Sequence, residues 1–253
     1  MDSTWAVVTG ASSGLGVAFA HRLASEGANI VLAARSEDRL EQVAADLRSR
    51  HGVRTRVSPV DLSSPDGRAG FVEEVSRTPV SHLINNAGFG TLGDFAEIDP
   101  ARVTQELELD VVALTELSRA VAPGMVSRGR GAIVNVASTA AFQPIPGMAV
   151  YAAAKAYVLR FSCALWDELH ATGVRAIALC PGPTQTSFFA NAGNSEVMGR
   201  RRTPEQVVDT AWIGLKRHRP YTVDGLGNWG LALTAGLAPV RLQTLISRGI
   251  VSR

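Results

Sequence analysis

Cysteine is scarce in this chain of 253 residues. The two present, Cys163 and Cys180, have neither the spacing of a metal site nor the density of a disulfide scaffold. Both lie in apolar surroundings, which suits buried thiols, and no metal site is expected. Excess charge is lacking too. The 25 Lys and Arg exceed the 23 Asp and Glu by only +2, and the basic residues are scattered rather than clustered. That excludes the positive face a nucleic-acid partner would require. No apolar run is long enough to span a bilayer. The N-terminus passes almost directly into a strand, so no signal peptide is expected. Nor is there an internal repeat, linker or low-complexity stretch. These absences lead to the expectation of one soluble, cytoplasmic domain.

What is present suits an enzyme of mixed α/β structure: 46% hydrophobic and 19% charged residues with 24 glycines. Apolar runs at Trp5–Thr9, Asn29–Ala34, Val53–Val60, Val80–Asn85, Ala132–Ala137 and Val174–Leu179 read as strands, and Tyr221–Val223 as a short last one. Helical patterns separate them. The strands show no polar alternation, the mark of a parallel sheet covered on both faces. The expected fold is therefore a Rossmann-type, doubly wound α/β sheet of about seven strands. The long helix from Ala101 to about Arg128 is expected in two pieces, because Pro123 lies inside it.

Two stretches carry chemistry. Gly10, Gly14 and Gly16, with Ser12, Ser13 and Leu15 between them, form the first strand-to-helix turn. Glycines there let the backbone approach a pyrophosphate facing a helix N-terminus. The second strand ends Ala33-Ala34-Arg35, with no acid before Glu37. An acid at that point would bind a ribose 2′-hydroxyl, whereas Arg35 suits a 2′-phosphate and so points to NADP(H) over NAD(H). The other stretch runs from Ser138 to Lys155. Pro144 and Pro146 force a loop, and Tyr151 and Lys155 then share one helix face at a spacing of four. A phenol beside an ammonium is an acid–base device: the cation favours phenolate, and Ser138 can hold a substrate oxygen.

With TGASSGLG, Asn85-Asn86-Ala87-Gly88, Ser138, Tyr151-xxx-Lys155 and Cys180-Pro181-Gly182-Pro183 in this order, the chain resembles the short-chain dehydrogenase/reductase family from roughly Thr4 to Pro220. Within it, ARSEDRL, NNAGFGTLG and ASTAAFQPIPG are most similar to a bacterial group of reductases. The resemblance implies Tyr151 as general acid/base, Lys155 as the group that lowers its pKa and holds the nicotinamide ribose, and Ser138 as the substrate-orienting hydroxyl. It further implies that Asn86, Ala87 and Gly88 line the cofactor groove, that Asp61 and Leu62 touch the adenine, and that Pro181, Gly182 and Thr186 border the nicotinamide. A homodimer or homotetramer is implied as well. One position departs from the family pattern: Leu109-Asp110-Val111 stands where an asparagine is usual, in a role linking the lysine to solvent. Aspartate keeps the size but exchanges an amide donor for a charge. Either the change is silent, or Asp110 lacks a partner, or it draws Lys155 to itself.

Residues 1–224 are thus expected to form the catalytic domain and 225–253 an extension packed on it. Other uses of that amphipathic end are a partner subunit, a cap on the substrate entrance, or a membrane surface. Phe142, Gln143, Met148, Phe188 and Phe189 lie in loops that could close on a substrate, which predicts a lipophilic carbonyl or alcohol. The expected activity is NADP(H)-dependent hydride transfer. The alternatives are a catalytically silent nucleotide-binding protein, and a lyase or epimerase on the same fold.

Overall fold

Adjacent residues of one strand serve two different cores. In β1 (Trp5–Thr9), Ala6 and Val8 face one side and Val7 the other, all fully buried. This is the pleat's alternation with both faces covered, so successive central positions are all apolar. The computed structural model describes residues 4–186 and 201–251.

The remaining strands are β2 (Asn29–Ala34), β3 (Thr55–Pro59), β4 (Val80–Asn85), β5 (Gly131–Val136), β6 (Val174–Cys180) and β7 (Tyr221–Val223). All pair in parallel, in the order β3-β2-β1-β4-β5-β6-β7. Chain order reverses between β1 and β4, where doubly wound sheets open a crevice for ligands. The Rossmann-type fold expected from the strand pattern is thus present, with seven strands.

One face is covered by α1 (Gly14–Ser25), α2 (Glu37–His51) and α7 (Pro204–Lys216), through Phe19, Leu23, Leu40, Leu47 and Trp212. The other is covered by α3 (Pro65–Ser76), α5 (Leu114–Ser127) and α6 (Ala149–His170), through Phe71, Leu117, Met125 and Leu169. Burying each such side chain is worth about 1.5–3 kcal/mol. Helix starts follow their caps. Asp99 accepts from the Ala101 N–H at the start of α4 (Pro100–Leu107), and Thr203 and Gln206 form a reciprocal capping box on α7.

The interruption in the long helix lies elsewhere than at Pro123, which sits inside an unbroken α5. It is a π turn over Glu108–Ala113 that joins α4 to α5. Such turns are rare, and those that occur lie frequently at functional sites. This one carries Asp110, buried to 1% exposure.

Beyond β7, Asp224 is buried and held by Arg202 (2.7 Å) and Thr210 (2.6 Å). Two helices follow, α8 (Leu226–Leu237) and α9 (Val240–Val251). α9 is fixed by the Ser247 hydroxyl, which donates to the Pro144 carbonyl at 2.6 Å.

Candidate active site

The turn after β1 is built around a residue that sequence reasoning did not single out. The Thr9 hydroxyl accepts from the N–H groups of Asn86 (2.9 Å) and Ala87 (3.0 Å) and donates to the Ile84 carbonyl (3.2 Å). It ties together the ends of β1 and β4, the two walls of the crevice. Asn86 Nδ2 donates to the carbonyls of Thr9 (2.9 Å) and Gly10 (3.3 Å). Gly10 has φ +63°, and a Cβ there would stand 2.8 Å from Asn86 Nδ2. Only glycine fits both constraints. Gly14 faces Thr186 as closely, and Gly16 presses on the Gly10 carbonyl. Ser13, the N-cap of α1, makes no side-chain cap bond, so the first-turn N–H groups remain open to an anion. Ser12 is half-buried, and Leu15 packs toward the core.

Arg35 lies exposed one residue past β2 and makes no ion pair among the described residues. At the end of β3, Asp61 accepts from Ser63 (2.6 Å), and the Leu62 carbonyl accepts from Arg68 (3.0 Å). Buried Arg68 is itself paired with Glu108 and Glu116, both at 2.8 Å. Pro181, just past β6, accepts from the Thr139 N–H (2.9 Å), and Gly182 abuts Asn228 of α8. The expected nucleotide residues therefore line the C-terminal edge of one sheet. A glycine turn with no room for side chains and an uncapped helix N-terminus fit the pyrophosphate of a dinucleotide, with Arg35 at the end of β2 beside them.

Ser138, Tyr151, Lys155 and Asp110 come together at the ends of β5 and of the π turn. Ser138 precedes a 3-10 turn over Thr139–Phe142, and its hydroxyl accepts from the Ala140 N–H (3.1 Å) and hydrogen-bonds Tyr151. Lys155 Nζ donates to the Val136 carbonyl (3.2 Å) and lies 5.5 Å from the Tyr151 ring centroid. It also forms an ion pair with Asp110 Oδ2 at 2.8 Å. Asp110 Oδ1 accepts from the Phe89 N–H (3.1 Å). Of the outcomes open at this position, the structure has the aspartate drawing the lysine to itself. Gly88 makes room for it: a Cβ there would lie 2.9 and 3.0 Å from the two carboxylate oxygens.

Electrostatics follow burial. Desolvation pushes the Tyr151 phenol above its ordinary value. Lys155 and Ser138 oppose this, while Asp110 and Glu106 push the same way. The lowered phenol expected from a neighbouring ammonium is not what the cluster produces, because burial of the phenol outweighs the pull of Lys155. Desolvation pulls Lys155 down, but Asp110, Tyr151 and Glu106 outweigh it and hold the lysine above its usual range. Burial raises the Asp110 carboxyl against the pull of Lys155.

The expected substrate residues divide. Met148 packs with Ile145 and Ala140 beside Tyr151, an apolar wall next to the phenol. Phe142 is half-buried and packs on the core under α6, its ring 6.0 Å from that of Tyr221. Gln143 is half-buried in the same loop. Phe188 and Phe189 lie outside the described residues. Besides Thr9, sequence reasoning missed Glu106, Asn228 and Ser247. For Thr9 its place directly before the glycine turn was the available signal; for the others there was none.

The family model for short chain dehydrogenase matches residues 4–196. The Very-long-chain 3-oxoacyl-CoA reductase of Mus musculus is 33% identical over 182 residues, covering 70% of this chain and 58% of the relative. The human Inactive hydroxysteroid dehydrogenase-like protein 1 is 35% identical over 191 residues, covering 74% and 57%. The chain thus spans less than two thirds of the length of these curated relatives. Among solved structures, a short-chain dehydrogenase from Sphingobium yanoikuyae in complex with NADPH superposes with a TM-score of 0.85 at 35% identity, covering 92% of this chain and 93% of that one.

Proposed function

Because the chain belongs to the short-chain dehydrogenase family, an oxidoreductase family, we propose that it is an NADP(H)-dependent reductase or dehydrogenase acting on a lipophilic carbonyl or alcohol. The observation that carries this reading is the buried cluster in which Tyr151 is hydrogen-bonded to Ser138 and flanked by Lys155. The bound nicotinamide supplies the hydride. In reduction, Ser138 holds the substrate oxygen and Tyr151 gives it a proton; the Lys155 ammonium then stabilises the phenolate left behind. In oxidation, Tyr151 takes the proton. Arg35 would meet the 2′-phosphate, and the N-terminus of α1 the pyrophosphate. The apolar wall of Ile145 and Met148 supports a lipophilic substrate, as does the name of the mouse relative. Homo-oligomerisation fits the outer faces of α5 and α6, where Val126 and Tyr157 are 39% and 40% exposed.

Fluorescence titration with NADPH and NADH, followed by absorbance assays against a panel of apolar ketones and aldehydes, tests the reading. NADPH should bind more tightly than NADH, and Arg35→Ala should weaken NADPH about tenfold or more. Tyr151→Phe should lower turnover by about 100-fold or more with nucleotide binding intact. Turnover retained in that variant would overturn the mechanism, and failure to bind either nucleotide would overturn the function. The Asp110–Lys155 pair favours a second reading, a nucleotide-binding protein without turnover. Its mark is NADPH binding with no oxidation by any member of the panel.

A further inference from the structure

One turn before Asp110, Glu106 is fully buried, at 0% exposure. Neither of its carboxyl oxygens has a well-formed hydrogen bond among the described residues. Thr91, in the loop after β4, turns its hydroxyl and its N–H toward the carboxyl, and that hydroxyl is likewise left without a well-formed bond. The charged groups that face it are Asp110 on the π turn, Lys155 and Tyr151 on α6, and Arg102 on α4. Arg102 makes no ion pair with it; its guanidinium lies over the Phe89 ring at 3.9 Å. This cluster therefore holds two carboxyl groups and one ammonium, and that ammonium is already taken by Asp110 at 2.8 Å. A second buried carboxylate without a counter-ion is far more costly than a neutral acid.

Resting on the dehydrogenase reading above, we infer that Glu106 is a positioning residue that carries a proton: its neutral carboxyl leaves Asp110 as the sole counter-ion of Lys155. When it ionises, the proton goes to solvent and a second negative charge appears beside the pair. Lys155 is then held more firmly toward the carboxylates, and the phenolate form of Tyr151 is disfavoured. The electrostatic environment of the carboxyl points the same way. Burial raises the Glu106 carboxyl, Asp110 raises it further, and Thr91 and Arg102 oppose both. Because its folded value lies above the unfolded one, Glu106 binds more protons in the folded state. Stability therefore falls as pH rises from the ordinary glutamate range toward the raised value.

The experiment uses the full chain. Infrared spectra at neutral pH should show the carbonyl stretch of a protonated carboxylic acid, and Glu106→Gln should remove it. Glu106→Met, of similar volume and apolar, should melt at or above the wild type at pH 7. That gap should widen from acid toward neutral pH. In alcohol oxidation, Glu106→Gln should move the rate inflection to lower pH, since at the alkaline pH where Tyr151 titrates the wild-type Glu106 has ionised and faces the phenol. Absence of the acid band, a band that survives Glu106→Gln, or a much lower melting point for Glu106→Met would each overturn the inference. The spectra and melts need no turnover. A chain that keeps the band yet oxidises no NADPH would sink the dehydrogenase reading while leaving the protonated Glu106 in place. Turnover without the band would sink this inference alone.

Discussion

Replacing Asp110 by asparagine tests whether the ion pair with Lys155 organises the site. The pair is short, 2.8 Å, and its side chains are 6% and 0% exposed, so water screens it little. Unit charges at that distance in an effective dielectric of 20 attract by about 6 kcal/mol, most of it offset by desolvation. Removing one partner of a buried pair costs about 3–5 kcal/mol when nothing replaces it. Asparagine keeps one acceptor, for either Lys155 or the Phe89 N–H, and turns its NH2 on the other donor, so the loss is only partly relieved, to about 2–3 kcal/mol. For a chain of this size that is a fall in Tm of roughly 4–12 °C. The pH dependence separates the charge from the shape. Lys155 stands above its unfolded value, so its contribution is complete below the ordinary lysine range and lost as pH rises through the folded value. The gap between wild type and Asp110→Asn should therefore close at alkaline pH. Because Asp110 also pushes Tyr151 up, the variant should oxidise alcohols with an inflection at lower pH than the wild type. Melting curves by circular dichroism across pH, paired with steady-state rates, make the measurement. An unchanged Tm together with an unchanged pH profile would show that the pair does no work, and the electrostatic account of the site would fall.

Two further outcomes follow from contacts. Gly88→Ala places a methyl group 2.9 and 3.0 Å from the Asp110 oxygens and should lower stability by about 1–3 kcal/mol; in the Asp110→Ala background, where those oxygens are gone, the added cost should largely vanish. Ser247→Ala removes the hydroxyl that holds Pro144 and should cost about 1 kcal/mol. It should also raise KM for carbonyl substrates while NADPH affinity, measured by fluorescence, stays unchanged.

The sheet was legible because its strands are buried on both faces and so carry apolar runs, as residues 30–34 and 176–180 do. The glycine turn and the Tyr151–Lys155 spacing were legible because local geometry alone dictates them. The helix before the active site was not. Polarity places Leu107 inside and Glu106 outside, yet Leu107 is 41% exposed and Glu106 is fully buried. A π turn shifts the helical phase, and nothing in the local pattern announces it. Pro123 attracted the expected break because proline costs a ladder bond, but packing of Leu117, Val121 and Met125 keeps α5 whole. The fate of Asp110 depended on Lys155, 45 positions later in the chain, and only tertiary structure joins them.

The bond between Ser247 and Pro144 also sets an order of events. Their separation of 103 residues means that a ribosome adding about 5–20 residues per second spends roughly 5–20 s between making one partner and the other. During that interval the Gly-turn end of the sheet can already close on its own strands, while the loop beside Tyr151 has the Gly93 N–H on its Gly147 carbonyl (3.0 Å) but lacks the bond from Ser247. The nascent chain therefore acquires a place for a nucleotide before the loop next to its phenol is fixed. A truncation or a bulky fusion at the last helix would act as an incomplete synthesis does, leaving the early-made half of the crevice formed and the late-made half loose.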